Sequence, residues 1–320
     1  MKKSFPILLI LLAFSAATAT AQNPIPPELQ AKIDALPQDD WGESVRYGLK
    51  LMTETQAVIG PEVDDPEMRY AGNNLRCHTC HLQAGTKKFA APFTGIYGLF
   101  PQYRPREDQI GTLTERINGC LERSMNGKPL PVHSREMKAM LSYIRFLSDG
   151  VPTGEAVEGR GLMPFDPPSR KVDLANGEAV YNNQCASCHG ADGQGMRMGQ
   201  EGDAQGYLFS PLWGDDSYNT GAGMYRVLKA SRFIRYNMPP SANHEAPLLS
   251  VDDTYDVAGY INSKERPMKD HLEKDFPDRL KKPVDFPFGP YADSFSEEQH
   301  KFGPFQPIMK ELQTLREQQQ

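Results

Sequence analysis

This sequence has few long apolar runs and few cysteines, and it has no excess of basic charge. The longest apolar run, Ile7–Phe14, is too short to cross a bilayer, so we predict no membrane span. The chain carries 35 basic and 41 acidic side chains among 320 residues, and this acidic balance makes nucleic acid an implausible partner. Cysteine occurs only five times, and its positions are more informative than its number.

Four of the five cysteines form two copies of a C-x-x-C-H motif, Cys77–His81 and Cys185–His189. This spacing is the attachment signature of c-type haem: both cysteines form thioethers to the haem vinyl groups, and the histidine binds the iron. A thioredoxin-like redox pair or half of a zinc site would leave the histidine after both motifs unexplained. We therefore predict two covalently bound c-type haems with the attachment residues Cys77, Cys80, Cys185 and Cys188 and the iron ligands His81 and His189.

The two motifs lie 108 residues apart, which predicts two domains and agrees with the length of the chain. Gly177 and Tyr181 stand where cytochrome c domains place a glycine and an aromatic residue, and a predicted helix closes each half. We predict a mainly α fold with two cytochrome c-type domains in tandem, residues 22–160 and 161–265. A proline-rich tail, residues 266–320, should wrap over them and carry His271 and His300 at its surface.

The first 21 residues have the three parts of a secretory signal. Lys2 and Lys3 form the charged start, Ile7–Phe14 is the apolar centre, and Ala19-Thr20-Ala21 is the small-residue cleavage site. We expect a periplasmic location, the compartment in which haem is attached covalently. An acidic redox protein there would suit a basic redox partner.

Each iron needs a second axial ligand or keeps an open position, and the second domain offers Met238. This residue lies in the segment Asn237-Met238-Pro239, 49 residues beyond His189. A methionine followed by proline at this distance is the usual distal ligand of small cytochromes c, and its thioether raises the potential of the iron. The competing candidates are Met196, Met198, Met224 and His244.

The fifth cysteine, Cys120, stands alone, and an odd cysteine in an exported protein needs a reason. Tyr260, in the second predicted closing helix, follows Met238 by 22 residues, and Tyr143, in the first, follows Cys120 by 23. Cys120 therefore occupies the position of a distal iron ligand, although a small buried apolar side chain is the alternative. Other candidates near this position are Met125 and His133.

The segment around Cys120 predicts a helix on which three functional side chains share one face. Arg116, Cys120 and Ser124 follow one another at i, i+4 and i+8. Arg104 and Arg106, from the preceding segment, could approach from the side. One guanidinium group can donate two parallel hydrogen bonds to two oxygens of a sulfonate or carboxylate. The cluster therefore predicts an anion site beside a thiol.

The run Arg116–Lys128, with a C-x-x-C-H motif on either side, closely resembles the dihaem thiosulfate dehydrogenases that form tetrathionate. The segments Pro211–Gly214, Ser217–Asn219 and Gly221–Met224 are also similar to the second domain of that family. The resemblance covers roughly residues 40–265. Its most specific part is the segment that contains Cys120.

The resemblance implies an enzyme that joins two thiosulfates through their sulfane sulfurs and releases two electrons. It implies a catalytic first haem with axial ligands His81 and Cys120. The second haem would have His189 and Met238, a pair that Asn237 should keep stable where some members have an exchangeable lysine. The external acceptor would be a protein such as a small cytochrome c or a high-potential iron–sulfur protein. The implied catalytic residues are Cys120, Arg106, Arg116 and Ser124.

Other functions fit parts of the same pattern. The site could run in reverse as a tetrathionate reductase. A dihaem electron carrier, in which Cys120 only ligates iron, would explain the motifs but not the arginines. A sulfur-oxidation cytochrome that loads thiosulfate onto the cysteine of a carrier protein also uses cysteine-ligated haem. A dihaem peroxidase would need an open iron position, which Cys120 fills.

Overall fold

The computed structural model describes residues 24–319, so the predicted secretory signal lies outside the described residues. No helix within this range is long and apolar enough to cross a bilayer. The first six helices are α1 Pro27–Asp34, α2 Asp40–Thr53, α3 Thr55–Ile59, α4 Leu82–Gly85, α5 Leu113–Arg123 and α6 Arg135–Leu147. The next six are α7 Leu174–Gln184, α8 Ala186–His189, α9 Val227–Asn237, α10 Val251–Ser263, α11 Glu297–Phe302 and α12 Gln306–Glu317.

The first domain is built on the crossing of α2 and α6. Val45 and Leu49 are buried on the inner face of α2, as their spacing requires. Gly48 lets the two helices touch, because a Cβ there would lie 2.2 Å from the carbonyl oxygen of Ala139. Tyr143, one turn further along α6, is fully buried.

The second domain repeats this crossing with α7 and α10. A Cβ on Gly177 would lie 2.2 Å from the carbonyl oxygen of Asp256, and Tyr260 follows one turn later. The ring of fully buried Tyr181 lies 5.6 Å from that of Tyr260. Gly177 lies at the helix crossing and Tyr181 packs beside it, as expected for the glycine and the aromatic residue of a cytochrome c domain. The two crossings make Tyr143 the structural equivalent of Tyr260.

Strands are few in the described part of the chain, in agreement with a mainly α fold. They form two antiparallel pairs, β1 Gln102–Arg104 with β2 Gln109–Gly111, and β3 Met196–Arg197 with β4 Tyr207–Phe209. The β1–β2 hairpin carries Arg106 in its turn and leads directly into α5. The first pair therefore positions part of the predicted anion site.

The tail that begins at residue 266 contributes helices α11 and α12 and several buried aromatic rings. Ile308 and Leu312 on α12 join the core of the second domain. Phe276 and Phe286 pack edge to face, with ring centroids 5.1 Å apart. The surface position predicted for His300 is wrong, since the tail folds over this side chain and leaves it 1% exposed. The domain boundaries stay a prediction.

Candidate active site

The first C-x-x-C-H motif directs its histidine towards α5. The amide of Cys77 donates a hydrogen bond to the hydroxyl of Thr55 at 3.0 Å, which ties the motif to α3. The Nδ1 atom of His81 lies 2.6 Å from the carbonyl oxygen of Ala91. Because the backbone engages Nδ1, Nε2 is the nitrogen left to bind iron.

Cys120 lies on α5, whose start carries a capping box. The hydroxyl of Thr112 accepts from the amide of Glu115 at 3.2 Å, and the Glu115 carboxylate accepts from the amide of Thr112 at 2.6 Å. One turn before Cys120, Arg116 places Nη1 2.6 Å from its Sγ atom. Burial by itself would raise the pKa of the Cys120 thiol, but Arg116 and His81 bring it down to about 6. Arg116 and His81 therefore favour the thiolate form of Cys120.

The residues around Cys120 fit a covalently attached haem. Cys77 and Cys80 both lie close enough to Cys120 to interact with its charge, and His81 contacts it. Protein surrounds the three cysteines on most sides, yet part of the surface of each side chain is uncovered. The cysteines therefore border an internal space. Two thioether-forming cysteines, with a nitrogen and a thiolate donor that face each other, form a suitable donor set for haem iron.

The second motif follows α7 directly and has the same support for its histidine. The Nδ1 atom of His189 lies 2.8 Å from the carbonyl oxygen of Ser210, which again leaves Nε2 for iron. Met238 follows the last residue of α9 and lines the same cavity as His189. Thr79 of the first motif also lines this cavity, so the second centre lies against the first domain. The donor set fits a haem with histidine and methionine ligands.

The competing ligand candidates have other surroundings. Met198 borders the cavity of the second centre, but it is 46% exposed and its sulfur lies 3.3 Å from Nη2 of Arg76. Met224 packs among the hydrophobic clusters, and the ring of His244 lies against that of Phe89. The remaining candidates are the exposed Met196 and His133 and the core residue Met125. Cys120 and Met238 stay the predicted distal ligands.

The tail holds the guanidinium group of Arg106. Its Nη1 atom donates to Oδ2 of Asp275 at 2.7 Å and to the carbonyl oxygen of Gly221 at 3.0 Å, and the group lies over the ring of Phe276. Arg123 binds the same carboxylate through two hydrogen bonds of 2.7 and 2.8 Å. Sequence reasoning missed Arg123 and Asp275, because no local pattern links two arginines to a carboxylate more than 150 residues away.

Two further cations come from the start of α9, and sequence reasoning missed both. Arg226 pairs with the buried carboxylate of Asp285 at 2.6 Å. Protein surrounds Lys229 on most sides, yet part of the surface of its side chain is uncovered. The side chain therefore borders an internal space. Burial and the positive charges of Arg226 and Arg116 lower its pKa to about 7. In sequence, Lys229 resembles any lysine on a helix surface.

The remaining predicted side chains are Ser124 and Arg104. Ser124 is the C-terminal cap of α5 and keeps helical backbone angles, so it remains one turn beyond Cys120. Arg104 on β1 pairs with Glu107 at 3.4 Å. Among the predicted catalytic side chains, the structure brings Arg116 and Cys120 into direct contact.

Two protein-family descriptions match the two halves of the chain. The family "SoxA/TsdA, cytochrome c domain" matches residues 69–153, and the family "Cytochrome c" matches residues 174–265. Each match contains one C-x-x-C-H motif. The prediction of two cytochrome c domains in tandem, and with it that of two c-type haems, is confirmed.

Named relatives cover most of the chain. A thiosulfate dehydrogenase from Stutzerimonas stutzeri is 39% identical over 237 residues, 74% of this chain and 72% of that protein. One from Allochromatium vinosum is 40% identical over 251 residues, 76% of this chain and 87% of that protein. The solved "as isolated" form of the thiosulfate dehydrogenase TsdBA from Marichromatium purpuratum is 37% identical, with a TM-score of 0.66. That match covers 74% of this chain and 49% of the solved chain, so this chain corresponds to about half of it. The chain belongs to the thiosulfate dehydrogenase family of c-type cytochromes.

Proposed function

We propose that this protein is a periplasmic dihaem enzyme that oxidises two thiosulfates to tetrathionate, with Cys120 as the reacting side chain. The contact between Arg116 and Cys120 carries the proposal, because it stabilises a thiolate beside the first haem motif. A thiolate is the nucleophilic form of cysteine. A purely ligating cysteine would have no need for the cluster of cations around it.

The reaction needs a side chain that holds one thiosulfate while a second one attacks. The Cys120 thiolate forms a disulfide bond with the sulfane sulfur of the first thiosulfate, and this step releases two electrons. The sulfane sulfur of the second thiosulfate then attacks the sulfane sulfur of the adduct. The new bond completes tetrathionate, and the bond to Sγ breaks and returns Cys120 as a thiolate. No proton is required, and the two electrons would pass by way of the two haems to the external electron acceptor.

The positive charges at the site oppose the repulsion between two dianions. Arg116 lies against the reacting sulfur. Arg106, whose guanidinium group is held by Asp275, belongs to the same group of charges because both it and Cys120 act on Lys229. Charge fixed in advance at a water-poor site is an effective way to stabilise an anionic transition state. Ser124, one turn beyond Cys120, would offer a hydroxyl to the same anions.

The reaction releases two electrons, and two c-type haems would supply two one-electron acceptors for them. His81 and Cys120 would hold the first iron, and His189 and Met238 the second. The cavity of the second centre reaches Thr79 of the first motif, which supports electron transfer between the two centres. A small cytochrome c or a high-potential iron–sulfur protein would take the electrons onward. The same site would reduce tetrathionate if a low-potential donor replaced this acceptor.

The test combines turnover with spectroscopy on one set of samples. The oxidised wild type and a Cys120→Ala variant are compared by electron paramagnetic resonance, and both are assayed with thiosulfate and a small acceptor without any carrier protein. We expect a low-spin signal of thiolate-ligated haem and tetrathionate formation in the wild type. Both should be lost in the variant, while haem content and the second centre remain.

Three results would contradict the proposal. If Cys120→Ala keeps the activity, the cysteine is not the reacting group. If the wild type turns over only when a carrier protein with a reactive cysteine is added, the protein is a thiosulfate-loading cytochrome. Absence of turnover under both conditions would leave a dihaem electron carrier as the better description.

A further inference from the structure

Within residues 24–319, the cations around Cys120 differ in whether they have an anionic partner. Each arginine of the group has an anionic partner, whereas Lys229 forms no hydrogen bond or ion pair with the described residues. The paired groups are Arg116–Cys120, Arg106–Asp275, Arg123–Asp275 and Arg226–Asp285, at closest distances of 2.6, 2.7, 2.7 and 2.6 Å.

Lys229 lies inside this group of charges. Its Nζ atom is 3.0 Å from the position that a Cβ on Gly223 would occupy, so any side chain at residue 223 would crowd the ammonium group. The glycine therefore leaves space beside Nζ. The negative charge of Cys120 and the positive charges of Arg116 and Arg106 all act on Lys229, which places the ammonium group at the first centre.

An enclosed ammonium group without a counter-ion is costly. Burial and the positive charges of Arg226, Arg116 and Arg106 lower the pKa of Lys229 to about 7, and no described carboxylate pairs with the ammonium group to offset this effect. An anion in the adjacent space would offset both effects. Each arginine already has an anionic partner in Asp275, Asp285 or Cys120, whereas the donors of Lys229 have none among the described residues.

We propose that Lys229 binds the sulfonate group of a thiosulfate and so positions the sulfane sulfur for Cys120. The proposal rests on the proposed function and adds a residue of the second domain to the substrate site. Thiolate and ammonium then come from different domains, on α5 and α9. A carboxylate of a haem propionate has similar chemistry, so the test has to separate these two anions.

The experiment uses the oxidised protein with both haems and three variants. Lys229→Met removes the charge and keeps the length, Lys229→Arg keeps the charge, and Lys310→Met is a control at an exposed lysine. Steady-state kinetics give KM and kcat for thiosulfate. Calorimetry gives the Kd of sulfate, an unreactive dianion. Redox titration gives the potential of the first haem.

We expect Lys229→Met to raise the KM for thiosulfate and the Kd for sulfate by about tenfold or more, as for the loss of a charged hydrogen bond. The kcat should change much less, and the potential of the first haem should stay close to that of the wild type. Lys229→Arg should recover most of the lost affinity, and Lys310→Met should match the wild type. Removal of a charge that has no partner leaves nothing unpaired, so Lys229→Met should fold.

Two outcomes would overturn the assignment. A KM and a sulfate Kd within twofold of the wild type would show that Lys229 does not bind the anion. A shifted haem potential with unchanged sulfate binding would show that it pairs with a propionate. The proposed function fails separately: a wild type that binds sulfate through Lys229 but does not oxidise thiosulfate would keep the anion site and refute the reaction.

Discussion

The two haem-motif domains share a scaffold and differ on the distal side of the motif. Gly48 in the first and Gly177 in the second both bring a helix against the backbone of the closing helix. In both, a backbone carbonyl engages Nδ1 of the motif histidine. The distal candidate of the first domain is Cys120, in contact with Arg116, whereas that of the second is Met238, just after α9.

The surroundings of the two motifs differ as well. His78, inside the first motif, is buried, whereas Ser187, inside the second, is exposed. Cys120 and Arg116 lie beside the first motif, and Met238 lies beside the second. The two domains thus share a scaffold that carries a C-x-x-C-H motif. They differ in the candidate distal side chain and in the charges around it, on which the proposed substrate chemistry depends.

The largest expected effect comes from Cys120→Met, which would give the first centre the distal ligand of the second. We expect thiosulfate turnover to fall by about a hundredfold or more, because the nucleophile is lost. The signal of thiolate-ligated haem in electron paramagnetic resonance should vanish at the same time. Met238→Ala is the matched change at the other centre, and it should keep that signal and lower the potential of the second haem. Turnover of Cys120→Met above a tenth of the wild-type rate would refute the distinction between the centres.

A smaller effect is expected from Arg116→Met, which removes the cation next to the thiolate. The kcat/KM for thiosulfate should fall by about ten- to a hundredfold, the usual effect of losing a hydrogen bond to a charged group. Arg116→Lys should recover part of this loss, since it restores the charge but not the guanidinium geometry. The control is Arg160→Met at an exposed position. Equal kinetics for Arg116→Met and this control would mean that Arg116 is dispensable.

The smallest effect on turnover is expected from Asp275→Asn. Asp275 holds Arg106 and Arg123 in place, so the variant should lose about 1–3 kcal/mol of unfolding free energy, and KM should change by less than about threefold. Denaturant unfolding followed by circular dichroism measures the first quantity. Asp270→Asn is the exposed control. A large loss of turnover at unchanged stability would instead place Asp275 in the chemistry.

The prediction that Cys120 is a distal ligand rests on its distance from a helix common to both domains, and it stays a prediction. The equivalence of Tyr143 and Tyr260, from which that distance is counted, agrees with the two glycine crossings. The contact between Arg116 and Cys120 follows from their spacing on one helix. The buried position of His300 could not be predicted, because it depends on how the tail folds over the second domain.

The sequence alone was enough to predict the mainly helical class, two c-type haem motifs, and the shared face of Arg116 and Cys120 on α5. These features depend on spacings of a few residues or on periodicity within one helix, which local geometry translates directly into contacts. Tertiary structure decided which cations are compensated. Asp275 and Asp285 meet their arginines only after the tail has returned across the molecule, and Lys229 is left unpaired because no carboxylate among the described residues returns to it. Charge compensation depends on where distant segments meet in space, and nothing in the local sequence encodes that.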